Sequence, residues 1–107
     1  MTIIIAHGGP GMRALAIFLE TIHDEAGFAA YRAKVMPTIA AFGGRFVVRG
    51  GTFTVLEGQW PHERIAVLEF PNRQSAEAWY GSDAYQAIVG TRLGASQCQA
   101  VIVDAVD

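Results

Sequence analysis

The chain of 107 residues has a single cysteine, Cys98. No disulfide can form within it, so a reducing, cytoplasmic compartment is the expectation. Charge is scarce at 17% of residues, and eight basic against ten acidic side chains leave a net charge of −2. That balance lacks the polybasic footprint nucleic acid or an anionic membrane surface would need. Long apolar runs are missing too: the longest, Ala14–Leu19, falls far short of the ~20 residues of a membrane span. No basic segment leads into an apolar one with a small-residue cleavage site, as a secretory signal requires.

Chemical signatures are equally sparse. His7, His23 and His62 stand far apart, without the close pairing of a zinc or non-haem iron site, and no metal is expected. One of them, His23 first, could still ligate haem, but a lone histidine by an apolar strand is a weak signal. Gly8-Gly9-Pro10-Gly11 has no following Lys-Ser/Thr, and no Gly-x-Gly-x-x-Gly opens a helix after a strand, so phosphate-binding fingerprints fail. His7-Gly8-Gly9-Pro10-Gly11 looks like an oxyanion-hole turn of an α/β-hydrolase, yet no Gly-x-Ser-x-Gly elbow accompanies it. No cofactor is expected.

What the chain does have is apolar material, 51% of its residues. So apolar a small chain is expected to bury a real core and to cover further surface with a partner. Residues 1–13 read as an extension, with Met12 an alternative start and Ile3–Ile5 able to pair with a sheet edge. Residues 14–107 read as one domain. Ala14–Ile22 is a strand with Leu15, Ile17 and Leu19 on one face and Phe18 and Glu20 on the other. Asp24 is an N-cap. Phe28, Tyr31, Val35, Ile39 and Phe42 then recur at steps of three and four and predict a helix over 25–42. Pro37 predicts a kink or restart within it, and Gly43-Gly44 its end.

The stretch Phe42–Glu57 links this helix to a second strand. Arg45–Arg49 alternates, with Phe46 and Val48 opposite Arg45, Val47 and Arg49. Gly50-Gly51 is read as a bulge that bends one long strand continuing through Phe53–Leu56. Arg64–Phe70 is a third strand. Asn72 and Ser82 cap two short helices weakened by Gly81 and Gly90, and Gln99–Ala105 is the last strand. The order is βαββαβ, the ferredoxin-like α+β pattern, in which helices cover one face of an antiparallel sheet. The uncovered face predicts a homodimer.

Tyr31-Arg32, Phe42-Gly43-Gly44-Arg45, Val48-Arg49-Gly50-Gly51, Leu56-Glu57-Gly58-Gln59-Trp60-Pro61, Glu69-Phe70-Pro71, Ala78-Trp79-Tyr80, Ser82-Asp83-Ala84-Tyr85-Gln86 and Arg92 together resemble the running pattern of a small bacterial family. It is domain-of-unknown-function family 1330, of the dimeric α+β barrel superfamily. The likeness spans about Ala14–Ala105. It implies a ferredoxin-like subunit whose sheet meets a second copy's, and it implies no established activity. Superfamily relatives include cofactor-free monooxygenases, haem-degrading enzymes and muconolactone isomerase-like proteins, which is analogy of fold only.

The residues left to explain are charged or aromatic ones on apolar elements. The candidate ligand-binding set is Arg49, Glu57, Glu69, Trp79, Tyr80, Tyr85 and Arg92, with Arg45 and Trp60 nearby in sequence. A charge on an apolar strand is either paired or at a pocket. One reading makes these residues Arg–Glu bridges that fix the strand and the dimer register. The other has Arg49 and Arg92 bind an anionic or carbonyl-bearing small molecule in a helix–sheet cleft walled by the aromatics, with Glu57, Glu69 or Tyr85 as proton carrier. Three functions follow as alternatives: a small-molecule binder, a cofactor-independent monooxygenase or isomerase, or a purely structural dimer.

Overall fold

The computed structural model describes residues 12–106, so the expectations for Ile3–Ile5 and His7 fall outside the described residues. Strand β1 (Ala14–Ile22) leads to helix α1 (Glu25–Ala40), strands β2 (Arg45–Arg49) and β3 (Arg64–Phe70), helices α2 (Arg73–Gly81) and α3 (Asp83–Ala95), and strand β4 (Ser96–Asp104). The sheet order is β2-β3-β1-β4, and all three pairings are antiparallel. This is the ferredoxin-like α+β fold, with the second crossover helix split in two.

The helices form for the local reasons that the sequence supplies. Asp24 accepts from Gly27 N at 3.0 Å, Asn72 from Ser75 N at 2.8 Å and Ser82 from Tyr85 N at 3.2 Å, each answering an otherwise unpaired first-turn donor. Phe28, Tyr31, Val35 and Ile39 on α1 are all buried. Their stripe packs with Ala16, Phe18, Ala66, Leu68 and Phe70 from the sheet and with Trp79, Tyr85 and Val89 from α2 and α3 in one core. Every sheet residue in that cluster belongs to the same face.

Element bounds differ from the sequence pattern at several points. Helix α1 runs through Pro37 without a restart, because loss of one hydrogen bond is offset by the buried stripe on both sides. It stops at Ala40, and Gly43 at φ 76° supplies the left-handed turn. The second strand does not bend on through Phe53–Leu56: β2 ends at Arg49, and Gly50 N closes the ladder on Ile65 O at 2.9 Å. Beyond that point β3 offers no partner, since Glu63 N already turns to Glu20 O at 3.2 Å. Residues 51–60 are exposed, with Phe53 against Trp60 at 6.0 Å. Finally, β4 begins at Ser96, earlier than expected, directly after α3, where His23 N and Asp24 N both donate to Ala95 O.

A bulge is present, but it lies inside β2. Phe46 pairs with Leu68, Val48 with Val67 and Arg49 with Ala66, so Val47 is the extra residue. One inserted residue reverses the alternation. Arg49 therefore shares the helix-covered face with Phe46, opposite to the phase its sequence position predicts. The other sheet face carries Leu15, Ile17, Leu19 and Val67, half-buried, and Val101 and Val103, exposed.

Candidate functional site

Three elements, α1, β2 and β3, meet β1 around a cleft floored by Phe18, Val35 and Leu68. Its rim is unusual for an apolar space. Arg32 from α1, Arg49 from β2 and Arg64 from β3 all line it. Arg32 and Arg64 stand over the Phe28 ring at 5.1 and 5.2 Å, and Arg49 over the Phe46 ring at 4.4 Å. Each such contact is worth about 0.5–1 kcal/mol where water reaches it. The one carboxylate of the lining is Glu20, 2% exposed and ion-paired with Arg64. Among the described residues Arg49 forms no ion pair. The rim thus carries a surplus of guanidinium over carboxylate.

The cleft is narrow. With its open mouth it measures about 350 Å³, yet its walls leave room for about a single water. Arg32 and Arg49 are exposed and reach the mouth on flexible stems. Exposed side chains of this kind change rotamer in picoseconds to nanoseconds, so admitting a larger body requires movement of those stems.

Behind the floor lies a polar chain in an otherwise apolar core. Tyr31, which lines the cleft, has its hydroxyl 2.9 Å from that of Tyr85, and Arg92 Nε donates to the Tyr85 oxygen at 3.2 Å. Arg92 is 2% exposed, forms no ion pair among the described residues, and its Nη1 has no hydrogen-bond partner. The guanidinium lies over Phe18 at 5.2 Å and Tyr31 at 5.9 Å. Burial first, and then the adjacent Tyr85, push the Tyr31 hydroxyl well above the ordinary phenol range. Tyr85 is raised by burial against the opposing charge of Arg92. Cys98 is likewise raised by burial, with Arg92 opposing.

The candidate set drawn from the sequence is divided among several places. Arg49 reaches the cleft, and Tyr85 and Arg92 stand behind it. Trp79 is fully buried; its Nε1 donates to Thr38 Oγ1 at 3.1 Å and its ring packs on Tyr85 at 4.2 Å. Tyr80, with Glu77 and Val101, borders an open groove of about 810 Å³, its mouth included, between α2 and β4. Glu69 lies at the far end of β3, ion-paired with Arg13 and, at 2.7 Å, with Arg45. Hydrogen bonds from Arg13 first and Arg45 next hold its carboxyl below the usual carboxylate range. Glu57 is exposed on the segment after β2.

Sequence reasoning missed Glu20, Tyr31, Arg32 and Arg64 as cleft residues. The phase of Glu20 with Phe18 on β1 was a partial signal; Arg64 stands directly across from Glu20 in the β1–β3 register, which no local pattern marks. Among the described residues no group of three or more His, Cys, Asp or Glu is placed to hold a metal. His62 instead contacts Thr21 Oγ1 at 3.0 Å and Gln99 Oε1 at 3.2 Å. No helix of the described residues is long and apolar enough to cross a membrane.

The sequence pattern of a family described as Domain of unknown function (DUF1330) matches residues 13–106. No curated protein matches the chain. Among solved structures, a protein of unknown function from Rhodopseudomonas palustris is similar with a TM-score of 0.75 at 15% identity, over 91% of this chain and 85% of that one. SnoaB, a cofactor-independent oxygenase from Streptomyces nogalater, is similar with a TM-score of 0.59 at 11% identity, over 90% and 95%. A putative antibiotic biosynthesis monooxygenase from Nitrosomonas europaea gives 0.52 at 13%, over 92% and 93%. At such identities the likeness is one of fold.

Proposed function

The chain belongs to the DUF1330 family, and from that premise we propose a homodimeric α+β barrel protein that binds a small, partly aromatic anion in the cleft between α1 and the sheet. One observation carries this reading: Arg32, Arg49 and Arg64 surround an apolar, phenylalanine-walled cleft that contains a single carboxylate. Guanidinium groups suit carboxylate or phenolate oxygens, and the apolar floor suits a ring. Calorimetric titration with benzoate and naphthoate tests it. Saturable binding, weakened about tenfold in Arg49→Ala, is the expected result, in line with loss of one charge-assisted hydrogen bond. No heat of binding with any aromatic carboxylate would refute it.

The uncovered sheet face supports a second copy. Leu15, Ile17, Leu19, Val67, Val101 and Val103 make it a continuous apolar surface, and an isologous contact between two such faces removes both from water.

A second reading, a cofactor-independent monooxygenase or isomerase at the same cleft, is favoured by Tyr31, a hydroxyl-bearing residue of its lining. Oxygen uptake or isomerisation dependent on Tyr31, measured with hydroxyaromatic and lactone substrates, separates catalyst from binder.

A further inference from the structure

We infer that the buried series Arg92, Tyr85, Tyr31 turns the Tyr31 hydroxyl into a directed hydrogen-bond donor, so that the cleft selects an aromatic anion carrying a second, acceptor oxygen such as a ketone. This rests on the binding reading above and adds to it the chemistry of the inner end. The direction follows from the donor inventory. A guanidinium has only N–H groups, so the 3.2 Å contact is a donation from Arg92 to the Tyr85 oxygen. Tyr85 has one proton, is fully buried, and among the described residues has Tyr31 as its remaining hydroxyl partner, at 2.9 Å.

Two arrangements of that pair are conceivable. If Tyr31 donates to Tyr85, the Tyr85 proton is left without an acceptor inside the core, the costlier outcome for a buried group. If Tyr85 donates to Tyr31, the unpaired proton is that of Tyr31, the less buried of the two at 8% against 0% exposure. Tyr31 borders the cleft, and among the described residues no other acceptor lies within hydrogen-bond distance of its hydroxyl. The free proton therefore serves whatever occupies the cleft.

The charge behind it acts in the same sense. Arg92 is a buried cation without a carboxylate among the described residues, its carbon Cζ 5.9 Å from the Tyr31 ring centre. Glu20, the negative group of the lining, is occupied by Arg64. An electron-rich oxygen at Tyr31 meets a polarised O–H backed by positive charge, whereas a methyl group there leaves the proton unpaired. Discrimination by an unpaired buried donor is the stronger form of selectivity.

The test is a cycle between ligand and residue. Binding of 3- and 4-acetylbenzoate is compared with that of 3- and 4-isopropylbenzoate, which match them in shape and lack the acceptor, in the wild type and in Tyr31→Phe. In the wild type one acetyl compound is expected to bind about five- to tenfold more tightly than its isostere, with the ketone ¹³C resonance moved downfield. In Tyr31→Phe the preference and the displacement are expected to vanish. Binding of all four without preference, or a preference surviving in Tyr31→Phe, overturns the inference and leaves the cleft reading intact. Binding of none overturns both. Should Tyr31→Phe not fold, Cζ-¹³C-labelled tyrosine in the wild type reads the same contact: the Tyr31 resonance moves with acetyl and not isopropyl ligands, or the inference fails.

Discussion

Arg92 is 2% exposed, and no carboxylate among the described residues is ion-paired with it; a buried cation in that state costs stability unless other contacts compensate. Replacing such a group by an apolar one of similar length is often neutral or stabilising. Arg92→Met is accordingly expected to unfold in urea at the same or higher midpoint, by up to about 1 kcal/mol, while losing selectivity at Tyr31. A loss of several kcal/mol would show that Arg92 serves the core. Tyr31 and Tyr85 supply the alkaline counterpart. Both have folded-state values raised by burial, so the stability they contribute is complete below the unfolded value of about 10 and is lost as pH rises above it. Absorbance at 295 nm should show these two tyrosines ionising only as the chain unfolds. Glu69 has the opposite sign. Its carboxyl is lowered by Arg13 and Arg45, so its contribution is present above the ordinary carboxylate range and lost as pH falls through the folded value. Being at the surface, it is also reduced by salt; thermal melts of wild type and Glu69→Gln should converge as pH falls below the ordinary carboxylate range. Arg49, Tyr85 and Arg92 were legible from the sequence as charged or aromatic residues on apolar elements. Glu20 and Arg64 were not, because a cross-strand pair is visible only once the β1–β3 register is known.

At the scale of elements, the helices were the most legible part. A stripe at steps of three and four depends only on the helix itself, and Asp24, Asn72 and Ser82 are caps whose partners lie three residues away. Strands depend on neighbours. The alternation in Phe53–Leu56 is real, yet no strand lies opposite it, and the segment stays outside the sheet. The bulge at Val47 had no local sequence mark either, and it decides where Arg49 points. Deleting Val47 should leave a regular ladder with Phe46 opposite Leu68, Val48 opposite Val67 and Arg49 opposite Ala66, so that Arg49 stays on the helix-covered face. Cleft binding is then expected to persist with the circular dichroism of the folded protein, and a fall to the level of Arg49→Ala would contradict this register. Gly50 marks the end of the same strand: at φ 73° an added Cβ would also lie 2.8 Å from Arg64 Nε. Gly50→Ala is expected to cost about 1 kcal/mol or more, read from denaturant midpoints, and to disturb Arg64 at the rim.

At the scale of the molecule, the sheet has helices on one face and bare aliphatic side chains on the other. The sequence announced this through its apolar excess, though not which residues form the bare face. With a second copy seated there, Ile17→Asp should yield a monomer by light scattering where the wild type shows twice the chain mass; a monomeric wild type would contradict the dimer. Binding as proposed further requires that the cleft, and not the wider groove beside Tyr80, receives the ligand. Backbone amide shift mapping during titration with 4-acetylbenzoate tests this most directly. Saturable shifts centred on Glu20, Phe28, Arg32, Arg49 and Arg64 are expected. Shifts centred on Tyr80 and Val101, or none at all, would contradict it.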